Sequence, residues 1–170
     1  MTGTLIPMAR RSRSRAPMEV IEHGMVTPET GLEGDCKGQR FPLRQITILD
    51  IADWNAAILE LGHPDLPLDL PWTTRRANFL VENVRLPQGA GSLLTVGSVQ
   101  MEVTGKTSPC AWMDHYHPGL RLALAPNWRG GVTCKVLQGG MVNIGADVTV
   151  TKELRQRPVG GQFEIQLFVR

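Results

Sequence analysis

Leu93-Leu94-Thr95-Val96, then Gly97-Ser98, then Val99-Gln100-Met101-Glu102-Val103 is the stretch whose reading decides the fold. Apolar and polar residues alternate from Val99 to Val103, which puts Val99, Met101 and Val103 on one face of a strand and Gln100 and Glu102 on the other. Gly97 can supply the positive φ of a tight turn, so the whole stretch reads as a β-hairpin with one buried side. Working outward, Asn78 to Val84 reads as a strand before the hairpin. Val132 to Leu137, Met141 to Ile144 and Val148 to Val150 read as short strands after it, with Gly139-Gly140 and Gly145-Ala146 as corners. Phe163, Ile165, Leu167 and Val169 alternate once more at the end. On the N-terminal side, Ile46-Thr47-Ile48-Leu49 is a β-branched run, and Thr4 to Met8, Met18 with Val20, and Met25-Val26 continue an extended pattern.

Helical spacing occurs in one firm place. Trp54, Ile58 and Leu61 recur on one helical face, Asp50 with Asp53 is placed to cap the start, and Gly62 with Pro64 stops the run, which predicts a helix from Ile51 to Leu61. Pro64, Pro67 and Pro71 hold residues 63–73 in an irregular connection, since each proline lacks an amide donor and disfavours helix before it. A second short helix is expected over Pro118 to Ala125, ended by Pro126. Short strands at this cadence with only one or two helices predict a mainly β fold, a closed or nearly closed and mostly antiparallel β-barrel. Closure removes the exposed edges that open sheets carry.

At 170 residues the chain suits one domain, residues 1–170, with its first 17 or so residues partly a basic loop or arm. The hydrophobic fraction of 42% and charged fraction of 20% are those of an ordinary globular protein, which excludes wholesale disorder. The net charge is +2, but Arg10, Arg11, Arg13 and Arg15 concentrate four positive charges near the start and leave the body slightly acidic. The cluster reads as a solvated arm or as an attractor for an anionic partner, and nothing else supports nucleic-acid recognition. No apolar run reaches about 18 residues and no secretory core opens the chain, so the expected location is cytoplasmic, with no membrane span.

Cys36, Cys110 and Cys134 cannot all pair and form no Cys-x-x-Cys motif, which makes reduced thiols the expectation. Cys134 falls inside an apparent strand and reads as core. Cys110 ends the small, polar segment Thr104-Gly105-Lys106-Thr107-Ser108-Pro109 beyond a strand, where loops at sheet ends usually carry positioned side chains. Gly31-Leu32-Glu33-Gly34-Asp35 reads by itself as a turn, or as glycines that expose backbone amides to a ligand with an aspartate that orients donors or an arginine. Arg76 adds a forked donor set and Asn78 both a donor and an acceptor. His115 and His117 stand two apart without a third ligand and read as surface or interface residues, while Trp112 and Met113 read as cover over the core.

Taken in order, these strings resemble the MOSC family, the domain at the C-terminus of molybdenum cofactor sulfurases that also occurs as small free-standing bacterial proteins. The resemblance runs from Gly31 to Asp147. It rests on Gly31-Leu32-Glu33-Gly34-Asp35, Arg44-Gln45 before Ile46 to Asp50, Val103-Thr104-Gly105 leading to Pro109-Cys110, Arg129-Gly130-Gly131-Val132, and Gly139-Gly140 with Gly145-Ala146-Asp147. It implies a barrel similar to that of pyruvate kinase. It also implies a molybdopterin cofactor whose molybdenum is bound by Cys110, with Arg44, Arg76, Asn78, Gly34 and Asp35 as cofactor-binding positions. Thiolate suits such a metal, and arginine suits a phosphate group. Cys36-Lys37 stands where relatives often have a basic pair, and Ser108 where amidoxime-reducing relatives have an arginine. The fused sulfurases use pyridoxal phosphate on a separate domain, and its lysine has no counterpart among Lys37, Lys106, Lys135 and Lys152, so this chain is not expected to bind it.

Two functional readings follow. In one, Cys110 ligates molybdenum or carries sulfur as a persulfide, with a sulfur-donor protein or a redox partner, and the metal reduces N-hydroxylated bases. In the other, the barrel binds a small ligand or a protein without catalysis, and Cys110 is a packed thiol.

Overall fold

The computed structural model describes residues 2–62 and 68–155. In chain order it contains β1 (Thr2–Arg10), β2 (Glu19–Ile21), β3 (His23–Thr27), β4 (Gly31–Leu32), β5 (Ile46–Asp50), α1 (Ile51–Leu61), β6 (Phe79–Glu82), β7 (Leu93–Val96), β8 (Val99–Lys106), α2 (Trp112–Tyr116), α3 (Leu120–Ala123), β9 (Val132–Gln138), β10 (Gly140–Asn143) and β11 (Asp147–Lys152). Seven strands close a barrel in the order β1, β11, β7, β8, β9, β5, β6 and back to β1. All neighbours are antiparallel except β5 and β6, which run parallel because α1 and the connection after it carry the chain back to the same end. β2 extends β1 outside the circuit, and β10, β3 and β4 make a small second sheet.

The alternation in sequence becomes two layers of packing. Ile46, Ile48, Phe79, Val81, Val99, Met101 and Val103 point into the barrel with Leu5, Met8 and Cys134. Their neighbours Leu49 and Leu80 face outward and meet Trp54 and Ala57 of α1, Met113 of α2, and Leu120 and Leu124. Each fully buried aliphatic or aromatic side chain contributes roughly 1.5–3 kcal/mol, so both layers are needed to hold so glycine-rich a chain. The hairpin forms as expected, with Leu94 opposite Met101 and Val96 opposite Val99, and Gly97 takes φ +56°. α1 also has the expected bounds: the Asp50 side chain accepts the Ala52 N–H at 2.9 Å, and the Gly62 N–H reaches Ile58 O.

Three short elements depart from expectation. α3 spans Leu120–Ala123 only, because Gly119 at φ +89° starts it and the turn at Pro126 follows. α2 and a 3-10 turn at Trp72–Arg75 are each about one turn long, too short for hydrophobic periodicity to reveal. β1 runs through Arg10, so the basic cluster begins on a strand. The alternation from Phe163 to Val169, and Pro64 and Pro67, lie outside the described residues. Among those residues no helix is long and apolar enough to cross a membrane.

Candidate functional site

Cys110 lies on the loop between β8 and α2 and is exposed. That loop is pinned from both sides: the Thr107 N–H donates to Gly131 O at 2.8 Å, and the Met113 N–H donates to Cys110 O at 3.0 Å. It forms one wall of an open cleft of about 450 Å³. Six positive side chains line the same cleft, Arg11, Arg15, Lys37, Arg44, Arg75 and Arg76, together with Thr47, Thr107, Ser108, Trp112 and Met113. No aspartate or glutamate lines it among the described residues. A cleft of one sign focuses its field on whatever enters, and the sign here favours anions over cations.

The 3-10 turn separates two adjacent arginines. Arg75 is only 5% exposed, and it points inward, its Nε donating to Gly130 O at 2.9 Å and its Nη2 to Thr107 O at 2.8 Å. Burial lowers its pKa to about 10, opposed by the charge of Cys110 and assisted by Arg44, so it stays charged at neutral pH. Arg76 takes the left-handed conformation at φ +63°, ψ 32°, a strained setting for a side chain of that size. This turns its guanidinium the other way, where Nη2 donates to Ala16 O at 3.0 Å. The bend is closed by a rim in which Arg15 lies 5.6 Å over the Trp112 ring and the Trp112 indole N–H donates to the Tyr116 hydroxyl at 3.3 Å.

Two buried polar atoms of the residues lining the cleft, Arg11 Nε and Thr107 Oγ1, have no partner among the described residues. Such atoms are rare and call for a ligand or ordered water. Asp35, itself buried, sets this corner by accepting the Arg11 N–H at 3.0 Å and the Lys37 N–H at 3.1 Å. Burial is the main reason the Lys37 pKa falls to about 8; Asp35 opposes the shift, and Arg11, Arg75 and Arg44 add to it.

Of the residues singled out in the sequence, Cys110, Arg44 and Arg76 share the cleft, with Arg44 exposed at its edge. Asn78, Gly34 and Asp35 do not line it. Asn78 is fully buried in the barrel wall, where its Oδ1 accepts the Thr47 N–H at 3.0 Å and its Nδ2 donates to Ala9 O at 3.3 Å. Gly34, at φ +79°, makes the turn against which the Arg10 side chain packs. Cys36 is half-buried outside the cleft, and Cys134 is sealed in the core, where burial pushes its thiol well up. His115 stacks on Trp112 with ring centroids 4.6 Å apart, and the described residues contain no His/Cys/Asp/Glu group of metal-binding size. Arg75, Lys37 and Thr107 are the site residues that sequence reasoning missed, and Arg11 and Arg15 come from the cluster read as either a solvated arm or an attractor for an anion.

A second cleft of about 550 Å³ shares Thr107 and Ser108 with the first. Its Asp114 stands among Lys106 and Arg121, its other walls include Leu122, Leu124 and Trp128, and no thiol lines it. Charge of both signs there argues for no particular ligand.

The structure is thus a closed β-barrel with an exposed thiol in a cleft lined by cations. The model of the MOSC domain matches residues 36–149, two-thirds of the chain, and the chain belongs to that family. The YuaD protein of Bacillus subtilis has the same fold, at TM-score 0.69 and 20% identity over 87% of this chain and 94% of that one. So does YiiM from Escherichia coli, at TM-score 0.65 and 16% identity over 86% and 69%. YiiM from Geobacillus stearothermophilus aligns at TM-score 0.66 and 14% identity over 87% and 74%. A comparison with curated proteins found no match.

Proposed function

We propose that the Cys110 cleft holds the molybdenum cofactor, with the Cys110 thiolate as ligand to the metal and the cations around it as the seat of the pterin phosphate. One observation carries this reading: a solvent-accessible thiol and six cations line a single cleft with no carboxylate among the described residues, and two of the lining residues, Arg11 and Thr107, each hold a buried polar atom that has no partner among those residues. The donor set fits the group. Guanidiniums pair with phosphate in forked geometry, thiolate is a soft ligand suited to the metal, and the cleft is of the size that small-molecule sites have. When bound, the cofactor supplies two-electron redox chemistry, and the substrate class that family resemblance suggests is N-hydroxylated bases, with electrons from a separate redox protein.

The chain's own residues would divide the work. Arg75, fixed by the carbonyls of Gly130 and Thr107, holds its positive charge in the same cleft as Cys110. Arg11 Nε and Thr107 Oγ1, without partners among the described residues, would donate to ligand oxygens or to ordered water. Arg15 and Trp112 form a rim that shields the bound group from water. The exposure of Cys110 also favours a second use of the same site, in which a sulfur-donor protein loads it as a persulfide. A reduced, exposed thiol suits a cytoplasmic setting.

The test is metal and labile-sulfur analysis of the protein made in a host that synthesises the cofactor. Wild type should retain molybdenum and Cys110→Ala should lose it. If wild type carries neither molybdenum nor cyanide-labile sulfur, the reading fails and a non-catalytic binding barrel takes its place.

A further inference from the structure

Lys37 differs from the five arginines that share its cleft, because it alone among these cations can exchange a proton near neutral pH. The nearest oxygens its ammonium reaches are Thr47 Oγ1 at 3.4 Å and the Arg76 carbonyl at 3.5 Å, both at the outer edge of hydrogen bonding. Asp35 attracts it, but both carboxylate oxygens already accept backbone N–H groups and make no ion pair with the ammonium. Arg11 on the loop after β1, Arg44 on the approach to β5 and Arg75 on the 3-10 turn all repel it. Burial is the larger reason that its pKa falls to about 8, and the three guanidiniums add to it.

We infer that Lys37 is a ligand-contacting residue through which the cleft takes up a proton as it seats a dianion. The inference deepens the cofactor reading and rests on the cleft being an anion seat. Two negative charges placed among these cations reverse the field at Nζ, so the ammonium becomes the favoured form and solvent supplies its proton. The step is Lys37–NH2 plus H⁺ to Lys37–NH3⁺, with no other bond made or broken. Two consequences follow. Phosphate-monoester and sulfate-like dianions are preferred over monoanions, and affinity falls as pH rises through the range in which the empty cleft loses the proton.

Sulfate is the probe, because it has no proton of its own to exchange above about pH 3. Titration calorimetry near pH 8.5, in two phosphate-free buffers of different ionisation enthalpy, should show uptake of about half a proton or more per sulfate bound. Affinity should fall roughly 3- to 10-fold between about pH 7.5 and 9.5. Uptake should persist in Cys110→Ser, which leaves every cation of the cleft in place, and vanish in Lys37→Arg, which keeps the charge. In wild type, the NMR titration midpoint of the Lys37 side chain should move up on adding sulfate, a readout that needs no variant to fold. Sulfate binding without proton uptake, uptake unchanged in Lys37→Arg, or an unmoved midpoint overturns the inference while leaving the cofactor reading standing. No sulfate binding at all overturns the inference and removes the anion seat beneath the cofactor reading as well.

Discussion

Cys134 and Cys110 are the same side chain in opposite surroundings. Cys134, on β9, pairs across the sheet with Ile46 on one side and Val103 on the other, and no part of it reaches solvent. Burial there penalises the thiolate and raises the pKa. Cys110 projects from a pinned loop into water and a cationic field. The contrast teaches that this barrel stores its stability in a dry interior and assembles its chemistry from loops at the mouth. The sharpest test is alkylation of the folded protein with iodoacetamide near neutral pH. Cys110 should react on the order of 1,000-fold faster than Cys134, which becomes accessible only through unfolding. Comparable rates would mean that the barrel opens at β9.

Arg75 and Arg44 repeat the comparison within the cleft. Removing the Arg75 side chain as Arg75→Met leaves the carbonyls of Gly130 and Thr107 without their donor, and should destabilise the fold by about 3 kcal/mol in urea unfolding. Arg44→Met, at an exposed position, should stay within about 0.5 kcal/mol while still weakening anion binding. If both variants lose the same stability, Arg75 is no more a structural post than Arg44. Asn78→Ala should fall between them, at about 2 kcal/mol, since it gives up hydrogen bonds to Thr47 and Ala9 inside the wall.

These contrasts also mark what could be read along the chain. The Val99 to Val103 alternation and the Asp50 cap depend on neighbours a few residues apart, and both appear where expected. The order of the strings brought out Cys110, Arg44 and Arg76, which do share a cleft. Arg75 was hidden because a single residue's phase on a one-turn helix sends it inward and its neighbour outward. Asn78 looked like a ligand-binding amide, but its place just before β6 puts it at a seam, with the Thr47 N–H and the Ala9 carbonyl within reach. For Arg11 and Arg15 a solvated arm and an anion attractor were both compatible with the local sequence, because only long-range contacts to Asp35 and Trp112 fold that segment over the cleft.

Lys37 sharpens the comparison on the smallest scale, since it is a cation that the fold holds at a loss. Its pKa is about 8 in the folded protein against 10.5 unfolded, so the folded state binds fewer protons between those values. Below pH 8 both states are charged and the folded state bears the full penalty, whereas above 10.5 both are neutral and the penalty is gone. Wild-type stability should therefore gain from this group as pH rises through that window. Lys37→Met has nothing to titrate there and should be the more stable protein at pH 7. Allowing for solvent screening at a half-buried site, the gain should be on the order of 1–2 kcal/mol. Urea unfolding of the pair at pH 7 and again above the window isolates the effect, because other titrating groups cancel in the difference. A gain that does not shrink at high pH would place its origin in packing, whereas one that vanishes identifies a charge kept for the ligand at the expense of the fold.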